Sequence, residues 1–109
     1  MRANPDSYEI LFELGRLYSE SYKDNTRARN VWELALRRWQ EKERNKPNPD
    51  RFSLSQISLH LAHLEEEAGN LGSAIDHLQL AKLASPQPDE LQKQIDGLKA
   101  KLKAGPKSQ

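Results

Sequence analysis

The chain of 109 residues contains no cysteine. Disulfides, thiolate nucleophiles and cysteine-ligated metals are therefore excluded, while compartment is left open. Aromatic residues are scarce at 6%, with two Trp, three Tyr and two Phe, so any core is thin and mostly aliphatic. A dominant charge is missing as well. The 17 basic side chains face 16 acidic ones for a net charge of +1, which leaves no global field to draw nucleic acid or an anionic membrane. No apolar run approaches the ~18 residues of a membrane span, and residues 1–20 lack the apolar centre of a signal peptide. A soluble, cytoplasmic protein with no membrane partner is the expectation. There is no Ser/His/Asp grouping of plausible geometry, no Gly-rich phosphate loop and no convergent carboxylate pair. No catalytic residue, enzymatic activity, cofactor or metal is expected.

What the chain does have is charge, at 30%, beside 36% apolar residues and a mean hydropathy of −0.91. That balance suits amphipathic helices with one buried stripe; without periodicity it would read as disorder. The period is present, in five stretches. The first, over about 7–22, follows Asn4-Pro5-Asp6-Ser7 and shows Ile10, Leu11, Leu14, Leu17 and Tyr18. The second, about 26–44, places Ala28, Val31, Trp32, Ala35, Leu36 and Trp39 on one face. Pro47 and Pro49 break the chain over 45–50. A third stretch, 51–68, shows Leu54, Ile57, Leu61, Leu64 and Ala68, and Gly69-Asn70 closes it. The fourth, 72–84, carries Ala74, Ile75, Leu78 and Ala81; the fifth, 88–103, carries Leu91, Ile95, Leu98 and Leu102. No stretch reads as a strand.

Self-similarity sharpens this picture. Ala74, Leu78 and Ala81 repeat Ala28, Trp32 and Ala35 at a constant offset of 46 residues, and Leu61-Ala62 repeats Leu14-Gly15 at 47. Small residues stand where helices must approach, and large ones fill the space between them. With these residues the chain resembles the tetratricopeptide repeat family, whose pattern places Leu-Gly, Tyr, Ala, a large residue and Pro at set intervals. The first repeat reads Leu11, Leu14, Gly15, Tyr18, Ala28, Trp32, Ala35. The second reads Ser58, Leu61, Ala62, Glu65, Gly69, Ala74, Leu78, Ala81, Pro86. Asn4-Pro5-Asp6 looks like the family's inter-repeat turn. Leu11 and Ser58 stand in place of the family's Trp, and Glu65 in place of its Tyr. One residue more than the pattern lies between Tyr18 and Ala28, and the offset exceeds the family's period of about 34, with the surplus between Ala35 and Ser55.

The resemblance implies an all-α antiparallel superhelix of about five helices in one domain spanning residues 1–109. Repeat one covers about 5–46, the loop 45–50 and repeat two about 51–86. A capping helix follows over 88–103, then a disordered tail over 104–109. It also implies a ligand surface on the inner face of each repeat's first helix. Those positions hold Glu9, Phe12, Arg16, Ser19 and Glu20 in the first repeat, and Gln56, Leu59, His63, Glu66 and Glu67 in the second. The expected function is recognition of another protein or peptide, with Phe12 and Leu59 as apolar anchors among orienting charges. The Lys/Asn clamp that some relatives use for a chaperone's terminal carboxylate is absent, because Phe12, Arg16, Leu59 and His63 fill those places.

The competing readings are blander. Of the three histidines, His60 is expected to point away from the groove, His63 into it and His77 outward, so that no metal site forms. Arg37, Arg38, Lys42, Arg44, Lys46 and Arg51 could contact phosphates, but Glu33, Glu41 and Glu43 interleave with them, and pairs such as Glu33–Arg37 make a solvated face of the strip. Nucleic acid is accordingly disfavoured as a partner. Glu65-Glu66-Glu67 reads as wet helix surface, and Trp39 is expected to pack on the third helix near Phe52. A structural role remains as the alternative: a self-associating fragment of a longer repeat protein. It would form a homodimer through Tyr8, Ile10, Leu11, Phe12, Leu14 and Leu17 of the first helix, only part of which the chain can bury.

Overall fold

The computed structural model describes residues 7–104. The expected Asn4-Pro5-Asp6 turn and residues 105–109 of the tail lie outside them. Helix α1 (Tyr8–Arg16) starts after Ser7, whose Oγ accepts from the Ile10 N–H at 3.2 Å, satisfying one of the otherwise orphaned first-turn donors. The chain then widens into a π-helical turn, Leu17–Ser21, with Tyr22 N–H donating to Leu17 O at 3.2 Å. A π turn accommodates one extra residue within a helix. It overlaps the start of the Tyr18–Ala28 interval, where the sequence reading counts one surplus residue, so the single helix expected over 7–22 is two segments. Lys23, at φ 53°, turns the chain in the left-handed region.

Asp24 caps α2 (Asn25–Glu43) by accepting from Arg27 N–H at 3.1 Å, and Asp50 caps α3 (Arg51–Glu67) through Ser53 N–H at 3.0 Å. After α3, Gly69 at φ 85° reverses the chain into α4 (Leu71–Ala84). Pro88 opens α5 (Pro88–Ala104), with Asp89 and Glu90 in the first turn and Lys101 and Lys103 in the last, matching the helix dipole at both ends. Ala104, assigned from sequence to the tail, belongs to this helix.

Neighbouring helices run antiparallel. Tyr8 at the start of α1 meets Glu43 at the end of α2; Arg29 near the start of α2 meets Glu65 near the end of α3; Lys82 late in α4 meets Gln92 early in α5. The protein is all-α, with no strand among the described residues. Its extents of 54 × 34 × 18 Å make a slab about two helices thick. No helix of the described residues is long and apolar enough to cross a membrane.

Two cores flank α3. Leu11, Trp32, Trp39, Leu54, Ile57 and Leu61 fill the space between α1, α2 and α3. Ala62, Ala74, Leu78, Leu91, Ile95 and Leu98 fill that between α3, α4 and α5. Ala28, Ala35, Ala74 and Ala81 are fully buried, as their role at close approaches requires. Gly15 explains itself: a Cβ there would lie 2.2 Å from Trp32 Nε1.

Several side chains depart from the sequence reading. In α1 the buried positions are Tyr8, Leu11 and Gly15; Ile10, and Leu17 at the start of the π turn, are 37% and 44% exposed. The helix is rotated because Trp32 needs a glycine opposite it, which decides the face. Trp39 is buried against α3 as expected, yet its indole N–H donates to Asp50 O at 2.7 Å and Phe52 is 74% exposed. Ala68 and Leu102, placed on buried stripes, are exposed at the ends of their helices.

Candidate functional site: the cleft between α1 and α3

Helices α1 and α3 lie side by side with α2 packed behind both, and the gap between them is only partly filled. At one end is a cleft of about 230 Å³. Tyr8, Glu9, Phe12 and Glu13 line it from α1, and Phe52, Ser53, Gln56 and Ile57 from α3. At the other end a smaller cleft of about 110 Å³ is bordered by Ser19, Asn25, Trp32, His60, His63, Leu64 and Glu67. Between the two, the His60 ring stands edge-on to Phe12 and Trp32, with centroids 4.8 and 5.2 Å away. The expectation that His60 points away from this face is therefore corrected: it is wedged into the seam, its Nδ1 2.8 Å from Gln56 O. Trp32, on which the ring packs, is itself fixed by an Nε1–H bond to Phe12 O at 3.0 Å.

The first cleft is preformed, because a polar clasp fixes its base. The Tyr8 hydroxyl lies 3.0 Å from both Glu43 Oε2 and Asp50 Oδ2. One proton is thus shared between two carboxylates. Glu43 also accepts from Lys46 Nζ at 2.8 Å and from Asp50 N–H at 3.0 Å, and Asp50 accepts from Ser53 Oγ at 2.7 Å. The ties join the first turns of α1 and α3 to the loop after α2. Burial, together with the two carboxylates, pushes the Tyr8 phenol well above its usual range. Lys46, with the hydrogen bonds from Asp50 N–H and Tyr8, holds Glu43 below the ordinary carboxylate range. At Asp50 burial opposes the charge, but bonds from Ser53 and Tyr8 outweigh it and the carboxyl is lowered. Glu43, read from sequence as part of a solvated face, is a buried structural group.

Of the residues expected to form a groove, Glu9, Phe12 and Gln56 meet in the first cleft. Ser19, His63 and Glu67 meet in the second. Arg16 lies between them, paired with Glu13 at 3.3 Å and Glu20 at 3.4 Å. Leu59 turns the other way and packs on the α4–α5 core. Glu66 borders a third cleft with His63, Glu67, Leu71 and Lys101, its carboxylate 3.8 Å from Lys101 Nζ.

Glu65 is the clearest correction to the reading of three wet glutamates. It is 4% exposed and accepts from Arg29 Nε at 2.8 Å, Arg29 NH2 at 3.3 Å and Asn70 Nδ2 at 2.8 Å. Burial works against its charge, but the Arg29 and Asn70 bonds prevail and its carboxyl is lowered. His77 is half-buried rather than outward. Burial pushes it below the usual imidazole range, against the pull of Glu65, Glu33 and Asp76. No group of three or more His, Asp or Glu among the described residues could hold a metal ion. On the basic strip, Arg38 pairs with Glu41 and Lys46 with Glu43; the expected Glu33–Arg37 pair is not formed among the described residues.

Phe52, 74% exposed in the cleft wall, is named from sequence only as a neighbour of Trp39 and not among the groove residues. Its neighbour Asp50 signals a helix start, and a large apolar side chain in a first turn need not face the core. No family model, no curated protein and no solved structure matches this chain.

Proposed function

We propose that this protein is an interaction module of the tetratricopeptide type, without chemistry of its own, that binds a segment of another polypeptide along the α1–α3 face. The observation that carries the reading is the cleft walled by Phe12 and by Phe52, the latter 74% exposed. An exposed aromatic beside a preformed apolar cleft is the usual anatomy of an anchor pocket in a protein interface. The repeated small and large positions of the two helix pairs support the family reading, as does the place of the surplus residue in a π turn. The full antiparallel superhelix, the scaffold role and a cytoplasmic location belong to the same proposal.

Selection of a displayed library of random linear peptides against the protein tests it. Enriched peptides should shift the amide resonances of Phe12, Phe52 and Gln56, and Phe52→Ala should abolish their binding. If no peptide binds saturably, or all bind elsewhere, the reading fails.

A second reading has one observation in its favour. Ile10, Leu17 and Tyr22 are 37%, 44% and 66% exposed along the first helix pair, which suits self-association. Phe12, half-buried against the core, is not part of that surface, so Leu17→Glu is the substitution that would dissolve such a dimer in sedimentation.

A further inference from the structure

Resting on the reading of the α1–α3 cleft as a peptide site, we propose that its occupant is a basic segment. One large apolar side chain of the partner seats between Phe12 and Phe52, and a Lys or Arg beside it is held by Glu9 and Glu13. Three observations carry this. First, the cleft's volume of about 230 Å³ exceeds the roughly 150 Å³ that admits a benzene ring, so it holds one anchor and not a row of them. Second, its charged lining is acidic throughout. Glu9 and Glu13 stand one turn apart on the same helix face. Glu13 shares Arg16 with Glu20, and Glu9 takes part in no ion pair among the described residues. An acidic partner residue would meet like charge there, whereas a cation gains an electrostatic partner at the rim of an apolar pocket. Third, the walls suit a cation and a peptide backbone together. The exposed face of Phe52 can carry a guanidinium or ammonium. The Gln56 side-chain amide, on the opposite wall from Glu9, makes no hydrogen bond among the described residues and is left to pair with main chain. Ser53 cannot donate to a peptide, since its hydroxyl proton is committed to Asp50 at 2.7 Å, and only its lone pairs remain.

The test uses the whole chain and the same random-peptide selection, followed by fluorescence anisotropy on synthetic hits. Peptides mapping to the cleft should be enriched in Lys and Arg next to one Phe, Leu or Met. Replacing those cations by Glu should weaken binding at least about tenfold, and the double variant Glu9→Lys/Glu13→Lys should do the same while preferring the charge-inverted peptides. Raising salt should weaken the basic peptides and leave an uncharged analogue little changed. Both glutamates are exposed, so the fold, checked by circular dichroism, should be retained; Phe52→Ala provides a second, uncharged variant. Acidic or neutral peptides that bind the cleft unaffected by Glu9→Lys/Glu13→Lys would overturn the proposal and leave the peptide-site reading standing. Failure of any peptide to bind there would overturn both. A concentration-dependent dimer abolished by Phe52→Ala would show that a second copy fills the cleft, and would overturn the proposal as well.

Discussion

The two helix pairs, α1 with α2 and α3 with α4, solve one packing problem in two ways. In both, a pair of fully buried alanines brackets a large side chain: Ala28 and Ala35 around Trp32, Ala74 and Ala81 around Leu78. Against it lies Gly15 in the first pair, and Ala62 shares its core in the second. Volume has moved across the interface. The indole leaves no room for a Cβ at residue 15, while the smaller Leu78 shares its core with an alanine. The pairs also differ in what covers them. The second is closed by α5, whose Leu91, Ile95 and Leu98 are buried; the first keeps Ile10 and Leu17 in solvent and is secured at its far end by the Tyr8 clasp. A helix with a neighbour on each side can rely on apolar burial, whereas one with a single covered face needs directional ties.

The strongest way to break this comparison is Gly15→Ala. The added methyl would meet three indole atoms at 2.2–2.6 Å, and because Trp32 is pinned by its bond to Phe12 O the cost should be about 3 kcal/mol or more. Thermal denaturation measures it. If the pairs share one design, Trp32→Leu in the same chain should return part of that loss, and purely additive effects would refute the shared crossing. By contrast, Gly97→Ala, with nothing within 4 Å, should stabilise α5 by about 0.5–1 kcal/mol.

Next in size is the ion pair between the two pairs. Arg29→Met should strand the buried Glu65 carboxylate and cost about 3 kcal/mol in urea unfolding. The double variant Arg29→Met/Glu65→Leu should recover most of it, since an apolar pair of similar volume replaces two desolvated charges. An unchanged midpoint for Arg29→Met would mean that Glu65 is neutral or solvated.

Dependence on pH distinguishes the pairs more finely. Glu65, Glu43 and Asp50 are lowered in the fold, so their stabilisation is present above the unfolded carboxylate range near pH 4–4.5. It is lost as pH falls through their lower folded values. His77, also lowered, adds a loss that begins as pH drops below its unfolded value of about 6.5. Tyr8 is raised, so its contribution is intact below about pH 10 and disappears at higher pH. Tyr8→Phe should remove that alkaline slope, cost about 1 kcal/mol at neutral pH and leave the Glu65-dependent acid slope unchanged. An alkaline slope that survived Tyr8→Phe would place its origin elsewhere.

An effect as small as that at Gly97 concerns Ser58, fully buried with an Oγ that has no partner among the described residues. Ser58→Ala should stabilise by about 0.5–1 kcal/mol in denaturant unfolding, because it removes an unmet hydroxyl and creates almost no void. A destabilised Ser58→Ala would reveal a partner for that hydroxyl.

Much of the architecture was legible because it is local. The Pro47–Pro49 break, Gly69 at a helix end, Pro88 at a helix start and the three-four spacing of Leu54, Ile57, Leu61 and Leu64 act over one or two turns, where backbone sterics and helix periodicity decide the outcome. The constant offset between Ala28, Trp32, Ala35 and Ala74, Leu78, Ala81 likewise marked six positions that are all buried. For the site, Glu9, Phe12 and Gln56 were named from sequence and share one cleft, but Leu59 turned to the other core and Phe52 was not named among them.

Sequence alone thus determined that this chain is helical, where its helices begin and end within a residue or two apart from the break of the first at Arg16, and which small residues sit at their crossings. Tertiary structure alone decided that Glu65 and Glu43 are buried while Phe52 is wet, that His60 wedges between Phe12 and Trp32, and that α1 and the π turn after it show Ile10 and Leu17 to solvent. The physical reason is reach. A helix turn is settled by residues three or four apart, but the fate of a charge depends on a partner 36 positions away, as Arg29 is from Glu65, and no local pattern records that such a partner will arrive.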